Sequence, residues 1–362
     1  MGDYSQFAGT RAVADAHRFD VAALERYLAA HVAGFDGPLA VEQFKGGQSN
    51  PTYKLSAGGR SYVLRRKPPG KLLPSAHAVE REYRVMRALA GSGVPVPRTY
   101  CLCLDETVIG TPFYVMDFVA GRIFWDPLLP GVAPSQRRAV FDEMNRVIAA
   151  LHRVDFAAIG LSDYGRPGNY LARQIDRWTR QYQASSTEPI PAMDRLIDWL
   201  PQHIPSGDRI ALVHGDFRLD NMIYDATEPR ARAVLDWELS TLGDPLADFA
   251  YHLMAWRLSP DEFRGLRGCD FAALGIPRED EYVAMYLRRN PGIARPAERD
   301  WDFYMAYNMF RMAAILQGVL ARALAGNAAS AQAVEAGRRA RPLAEIGWQQ
   351  VERRIARRAH VS

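Results

Sequence analysis

Two short polar clusters, each set against an apolar run, constrain this chain more than any other feature. The first is His214-Gly215-Asp216-Phe217-Arg218-Leu219-Asp220-Asn221, and the second is Val234-Leu235-Asp236-Trp237-Glu238. Asn221 follows Asp216 by five positions, and Asp236 follows Asn221 by fifteen. A carboxylate and an amide that close together belong to one short loop. Asp236 ends the apolar run Ala233-Val234-Leu235, so the next pair of strands brings a second carboxylate back toward that loop. All three side chains are hard oxygen donors, the kind that suits Mg²⁺ and the handling of a hydroxyl proton.

The spacing H-x-D-x-x-x-x-N, with an Asp downstream, is that of a kinase catalytic loop. Gly215 stands where protein kinases carry Arg. With Gly243-Asp244-Pro245-Leu246-Ala247-Asp248, these motifs resemble the aminoglycoside phosphotransferase family of small-molecule kinases. The string Leu-Asp-Trp-Glu-Leu-Ser-Thr-Leu-Gly-Asp-Pro-Leu-Ala-Asp, residues 235–248, is similar to the branch linked to acyl-CoA dehydrogenases. The resemblance runs from about Phe44 to about Arg322.

The resemblance implies an α+β, bilobal protein-kinase-like fold that takes ATP and Mg²⁺. Asp216 becomes the catalytic base, and Asn221 and Asp236 become the metal ligands. Arg218, two residues past the base, stands where protein kinases place a Lys near the transferred phosphate; the competing reading is a surface Arg bridging Asp220 or Asp225. Tyr62-Val63-Leu64-Arg65 occupies the place of the kinase V-A-I-K strand, so Arg65 would reach the nucleotide phosphates and pair with Glu82. Lys67 shares the strand face of Arg65 and is the alternative cation. Glu80 is expected in solvent. Gly47 and Ser49, in Gly46-Gly47-Gln48-Ser49-Asn50, would cover the phosphates with backbone N–H groups. Asp117 C=O and Val119 N–H would hold adenine. His214 and Asp248 read as supports of the loop, and Asp244 as the N-cap of the helix that Pro245 begins.

The segmentation follows from periodicity. Residues 1–38 form an arm and a helix: a loosely held stretch to residue 18, then a helix capped by Asp20 with Val21, Leu24, Tyr27 and Leu28 on one face. Residues 39–119 form a nucleotide-binding sheet, with strands at Leu39–Lys45, Thr52–Ser56, Ser61–Arg66, Arg98–Leu104 and Phe113–Val119, and a helix from Ala76 to Ala90. Residues 120–362 hold the catalytic loop, the metal residues and the acceptor region. They are helical apart from Ile210–His214 and the pair near Met222–Tyr224 and Ala233–Leu235. ATP is expected in the cleft between the lobes.

Composition narrows the partners. A net charge of +4 over 362 residues is too small to suggest nucleic acid. The Arg cluster of Arg338, Arg339, Arg341, Arg353, Arg354, Arg357 and Arg358 reads as a solvated helix face. Cys101, Cys103 and Cys269 give neither a disulfide framework nor zinc spacing, and Cys101 and Cys103 alternate toward one side of a strand. No signal core, transmembrane run or myristoylation pattern is read, so the expectation is a cytoplasmic protein without membrane attachment.

Eleven residues between Asp236 and Asp248 leave no room for an activation segment and peptide platform, which points to a small hydroxyl acceptor. The dehydrogenase-linked resemblance implies a hydroxyacyl-CoA or hydroxy acid, and a functional link to an acyl-CoA dehydrogenase. The family at large implies an aminoglycoside or an amino alcohol such as choline. From residue 246 onward there are 17 Arg and no Lys against 13 Asp plus Glu, a lean toward an anionic acceptor. A nucleotide-binding pseudokinase is the reading from another class. Tyr304, Tyr307, Asn308 and Arg311 share a helical face in an apolar stretch, where Arg311 is expected to find an internal salt bridge or a substrate anion.

Overall fold

The computed structural model describes residues 9–45, 50–69, 77–207, 209–296, 298–325 and 331–359. Its strands are β1 (Thr10–Arg11), β2 (Ala40–Phe44), β3 (Thr52–Ala57), β4 (Arg60–Arg66), β5 (Thr99–Cys103), β6 (Phe113–Asp117), β7 (Ala211–Val213), β8 (Met222–Tyr224), β9 (Ala231–Val234) and β10 (Thr241–Gly243). Its helices are α1 (Val21–His31), α2 (Val79–Leu89), α3 (Pro134–His152), α4 (Tyr170–Ser185), α5 (Pro191–Trp199), α6 (Pro245–Arg257), α7 (Pro260–Phe263), α8 (Phe271–Leu274), α9 (Glu279–Arg289), α10 (Glu298–Leu324), α11 (Ala331–Arg338) and α12 (Ala340–Ala359). Among the described residues no helix is long and apolar enough to cross a membrane.

The chain packs as two compact units. The first takes in the described residues through Trp125, with Ala158–Leu161 and Asp220–Ser240; the second takes in Asp126–Ala157, Ser162–Leu219 and the chain from Thr241 onward. The β8–β9 hairpin, which the sequence places within 120–362, therefore packs with the first unit.

The first unit is an antiparallel sheet of order β1-β2-β3-β4-β6-β5. Gly58 and Gly59, with φ of 53° and 72°, close the two-residue turn between β3 and β4. A turn of that hand matches the twist of the strands and requires positive φ at both positions. Alternation then assigns the faces. Tyr53, Leu55, Tyr62 and Leu64 point to one side, where Leu24 and Leu28 of α1 join them in a core with Cys101, Cys103, Phe113 and Val115. Each such fully buried side chain is worth about 1.5–3 kcal/mol. Asp20 caps α1 by accepting from Ala23 N–H at 2.9 Å. Val21, expected on the apolar face, is exposed instead.

The other face of β4 carries Arg65 toward α2, which buries Val79, Glu82, Val85, Met86 and Leu89. The stretch to residue 18 is not loose within its described part. Thr10–Arg11 pairs with β2, and the carbonyl of His17 accepts from Tyr53 Oη at 3.1 Å. Two residues are too few to show the period of a strand. Gly121 sits so close to the β8–β9 hairpin that a Cβ there would lie 2.1 Å from the Tyr224 carbonyl oxygen. Arg122 and Tyr224 exchange backbone hydrogen bonds at 2.8 Å beside it.

In the second unit, α10 is buried almost all round from Trp301 to Leu316 and packs with α4, α6, α11 and α12. β7 pairs with β10, Leu212 opposite Leu242. β10 was not expected; three residues are too few to show a period. Asp244 accepts from Leu246 N–H at 2.7 Å and Ala247 N–H at 3.3 Å, capping α6 with Pro245 in its first turn as expected. The Arg-rich C-terminal face is solvated at Arg338 and Arg353. Arg354 departs from it: 5% exposed, it lies over the Trp199 ring at 5.1 Å.

Candidate active site

Arg65, Glu82, Asp117, Val119, Asn221 and Asp236 belong to the first unit, and Asp216 and Arg218 to the second. Gly47 and Ser49 lie outside the described residues.

In the first unit the geometry is organised around one guanidinium. Arg65 Nη2 lies 2.7 Å from Asp236 Oδ1 and 3.6 Å from Glu238 Oε2, while Nε lies 3.3 Å from Glu82 Oε2. The contact with Asp236 is a hydrogen-bonded ion pair, and that with Glu82 is ionic without an aligned N–H. Glu82, 1% exposed, also accepts from Tyr114 Oη at 3.2 Å and from Asn50 Nδ2 at 3.1 Å. Burial, with help from Asp236 and Glu238, pushes the Glu82 carboxyl up to about 7 against the pull of Arg65. Burial also works against the charge on Arg65, but Glu82 and Asp236 more than restore it. Lys67 is turned elsewhere and pairs with Glu80 at 3.1 Å, so Glu80 is half-exposed and bridged rather than simply solvated. Strand alternation had left Arg65 and Lys67 equivalent; their carboxylate partners separate them.

The β8–β9 hairpin positions the two expected metal ligands. Met222 pairs with Val234, and Leu235 N–H donates to the Asn221 carbonyl at 2.8 Å. Asn221 and Asp236 thus flank the open end of one ladder. Trp237, 1% exposed, anchors the turn by donating its indole N–H to the Val234 carbonyl at 3.0 Å. Asp236 itself has φ of 64°, in the left-handed region that Asp tolerates better than most side chains. Among the described residues no cluster of three His, Cys, Asp or Glu forms a metal cage. The donor set still fits a divalent ion. Asp236 and Glu238 are partly exposed carboxylates beside the Arg65 guanidinium, and Mg²⁺ needs only one or two protein oxygens when phosphates supply others.

Asp117 ends β6, where its N–H donates to the Arg98 carbonyl at 2.8 Å and its carboxylate accepts from Tyr100 Oη. Next to it Phe118 is exposed, its ring stacked on Phe44 at 6.4 Å, and Val119 is half-buried.

In the second unit the loop before Asp216 hangs on Asp248. One Asp248 oxygen accepts from Gly215 N–H at 2.8 Å; the other accepts from His214 N–H at 2.8 Å and contacts His152 Nε2 at 3.1 Å. Burial raises the Asp248 pKa, yet these hydrogen bonds and the charge of His152 outweigh it, and the carboxyl is held below its usual range. Gly215, φ 82°, supplies the left-handed turn that lets both N–H groups face one carboxylate. His214 Nδ1 accepts from Asp216 N–H at 3.2 Å. Both supporting roles expected of His214 and Asp248 are present.

Asp216 Oδ1 receives two groups: the phenol of Tyr251 at 2.5 Å and Arg218 Nε at 3.1 Å. Arg218 therefore pairs with Asp216. Arg311 corrects the expectation of a salt bridge. It is 5% exposed, donates Nη2 to the Gly215 carbonyl, and lies over the rings of Tyr251 at 5.0 Å and Trp178 at 5.6 Å. No carboxylate among the described residues pairs with it. Tyr304 donates to Asp244 at 3.1 Å and Asn308 to the Ala247 carbonyl at 2.9 Å, so that helix face supports α6. Sequence reading gave no role to Tyr251 or Glu238, and read Asn50 only as part of the loop over the phosphates, not as the donor to Glu82 that it is. Glu238 lay in the quoted motif, but nothing in helical periodicity singles out Tyr251 from its aromatic neighbours.

Comparison with known proteins identifies the family. The sequence profile described as the phosphotransferase enzyme family matches residues 40–313. Acyl-CoA dehydrogenase family member 10 of Mus musculus is 51% identical over 330 residues, covering 90% of this chain but only 30% of that protein. A crystal structure of a Ralstonia eutropha protein, provisionally described as an aminoglycoside phosphotransferase, is 58% identical, with a TM-score of 0.85 and coverage of 93% of this chain and 99% of that one. An aminoglycoside phosphotransferase in ternary complex with ADP and hygromycin B is 18% identical, with a TM-score of 0.56 and coverage of 90% and 99%. These likenesses give the chain an α+β, kinase-like fold.

Proposed function

The chain belongs to the phosphotransferase enzyme family, and from that premise we propose that it transfers the γ-phosphoryl group of ATP to a hydroxyl of a small molecule. The observation that carries this reading is Arg65, one guanidinium faced by Glu82, Asp236 and Glu238. Hard carboxylate oxygens gathered beside a guanidinium are what a divalent ion and a polyphosphate engage.

Asp216 is the base. Its carboxylate orients the acceptor hydroxyl and takes its proton, a contribution of roughly 10²–10⁴-fold. Arg218, already on the Asp216 carboxylate, can turn its fork to the transferred phosphate. Asn221 and Asp236 hold the metal, and Arg65, braced by Glu82, contacts the nucleotide phosphates. When bound, Mg²⁺ neutralises the phosphate oxygens as charge develops. Gly47 and Ser49 offer backbone donors to the phosphates, and Asp117 C=O with Val119 N–H hold adenine. Asp248 keeps the loop in place through its bonds to His214 and Gly215.

The acceptor proposed is a hydroxyacyl-CoA or hydroxy acid. Two things support it: the relative named for acyl-CoA dehydrogenase, and Arg218 and Arg311 near the base, which suit an anionic acceptor better than a polycation. The same relative supports a functional link to an acyl-CoA dehydrogenase. The test is a panel of hydroxyacyl-CoAs, aminoglycosides, choline and homoserine incubated with ATP and MgCl₂, with phosphate transfer read by mass. Transfer to an aminoglycoside or to choline alone would replace the acceptor assignment. ATP binding with no transfer to any acceptor would favour a nucleotide-binding pseudokinase.

A further inference from the structure

We propose that Tyr251 and Arg311 are positioning residues for the base, forming a stacked support that fixes the Asp216 carboxylate from beneath. The proposal rests on the reading of Asp216 as the base. It adds two residues that the motif does not contain and that come from two different helices.

Tyr251 lies on α6, three residues past Asp248. That spacing puts both side chains on one helix face, one turn apart. Asp248 holds the backbone of the loop at His214 and Gly215. Tyr251 holds its side chain, donating to Asp216 Oδ1 at 2.5 Å. One helix face thus fixes both the loop and the carboxylate it presents.

Tyr251 is suited to be a donor only. It is 3% exposed, and burial, with the negative charge of Asp216 beside it, raises its phenol pKa well above the usual value. The proton stays on the phenol, and the hydrogen bond to the carboxylate is charge-assisted. Among the described residues the phenol makes no other hydrogen bond, so the short contact is not a by-product of a tyrosine placed for its ring alone.

Arg311 supports Tyr251 in turn. Its guanidinium lies over the Tyr251 ring at 5.0 Å and the Trp178 ring at 5.6 Å, and Nη2 donates to the Gly215 carbonyl. A buried guanidinium without a carboxylate partner is costly and is retained only where its geometry is used. Here it links three elements: α10, which carries it; α6, through the Tyr251 ring; and the loop, through the carbonyl that precedes Asp216. A base displaced by about 1 Å can lose as much as ~10²-fold in rate.

The test combines kinetics with a signal that does not need turnover. Tyr251→Phe keeps the ring under Arg311 and removes only the hydroxyl. With a hydroxyacyl-CoA as acceptor, kcat should fall about tenfold or more while the KM for ATP stays within about twofold. Arg311→Met should lower kcat similarly, and Arg311→Lys should recover part of it, since a point charge can reach the carbonyl but stacks poorly. In protein labelled at tyrosine Cζ with ¹³C, the resonance missing from Tyr251→Phe identifies Tyr251. That resonance should move in Asp216→Asn, which weakens the charge-assisted bond. An unchanged kcat in Tyr251→Phe, or a loss carried wholly by the KM for ATP, would overturn the proposal, as would a Tyr251 resonance indifferent to Asp216→Asn. If the wild-type protein transfers phosphate to no acceptor, the reading of Asp216 as base fails, while the resonance still decides whether Tyr251 holds that carboxylate.

Discussion

Arg65 on β4 and Asp236 after β9 lie 171 positions apart in sequence and meet at 2.7 Å. The same guanidinium contacts Glu82, which Tyr114 and Asn50 hold in place. The strand cation is thereby tied to the Asp236 carboxylate, the proposed metal ligand, as well as to its helix partner. Arg can do this because its fork has donors on two edges; an ammonium offers one compact point.

That geometry sets the order of the Arg65 variants. Arg65→Ala should raise the KM for ATP and lower turnover, because it removes the guanidinium that Glu82, Asp236 and Glu238 share. Arg65→Lys should recover part of both. Steady-state kinetics with ATP varied would show it, and Lys and Ala variants of equal activity would count against a role for the charge.

Asp216→Asn removes the base and leaves the first unit untouched. Transfer should fall by ~10²-fold or more, with ATP affinity nearly that of wild type. Rapid-quench measurement of transfer beside equilibrium nucleotide binding separates the two. Wild-type transfer in this variant would remove Asp216 from the chemistry.

For the metal, Asp236→Asn is the cleaner substitution, since Asn also tolerates φ near 64° and the loss is then one of charge. It should weaken Mg²⁺-dependent nucleotide binding more than Asn221→Ala does, because a carboxylate brings net charge to the ion and an amide only a dipole. Nucleotide titrations with and without MgCl₂ are the measurement. Equal affinities in wild type and Asp236→Asn at every Mg²⁺ concentration would refute the assignment.

His252 predicts a pH dependence of stability. It is buried on α6 with its Nε2 at 2.7 Å from Tyr282 Oη, and burial pushes its pKa down to about 3 from the usual 6.5. The unfolded chain takes up a proton below 6.5 and the folded chain does not, so stability falls with pH through that window. Between pH 7 and pH 5 the loss from this one group is about 2 kcal/mol. Urea unfolding of wild type and His252→Gln at both pH values would test it; the variant should lose less over the interval. Parallel losses would place the titration elsewhere.

The loop and the hairpin before Asp236 were legible because each rests on local spacing, and the pairing of Arg65 with Glu82 was implied by the family resemblance laid over a strand and a helix with clear periods. The strands β1 and β10 escaped because two or three residues carry no period. Tyr251 and Arg311 escaped for a different reason. α6 and α10 are buried on nearly every side, so apolar patterning, which marks a face by contrast, has none to mark. Arg311 stood out as a charge in an apolar run, but its partners are a carbonyl and two rings rather than a carboxylate.

The membership of Asp220–Ser240 in the first unit has a consequence for how the chain is assembled. Neither unit is one continuous stretch, so no single cut in the polypeptide releases either of them whole. The hairpin must find Pro95, whose carbonyl accepts from Val234 N–H at 2.8 Å, and Arg122, across roughly a hundred residues of intervening helices. Such pairing is slow to form, because the closure entropy of a long loop comes before its reward. The late arrivals are the strands that Asn221 and Asp236 flank, so nucleotide competence should be among the last properties a refolding chain regains.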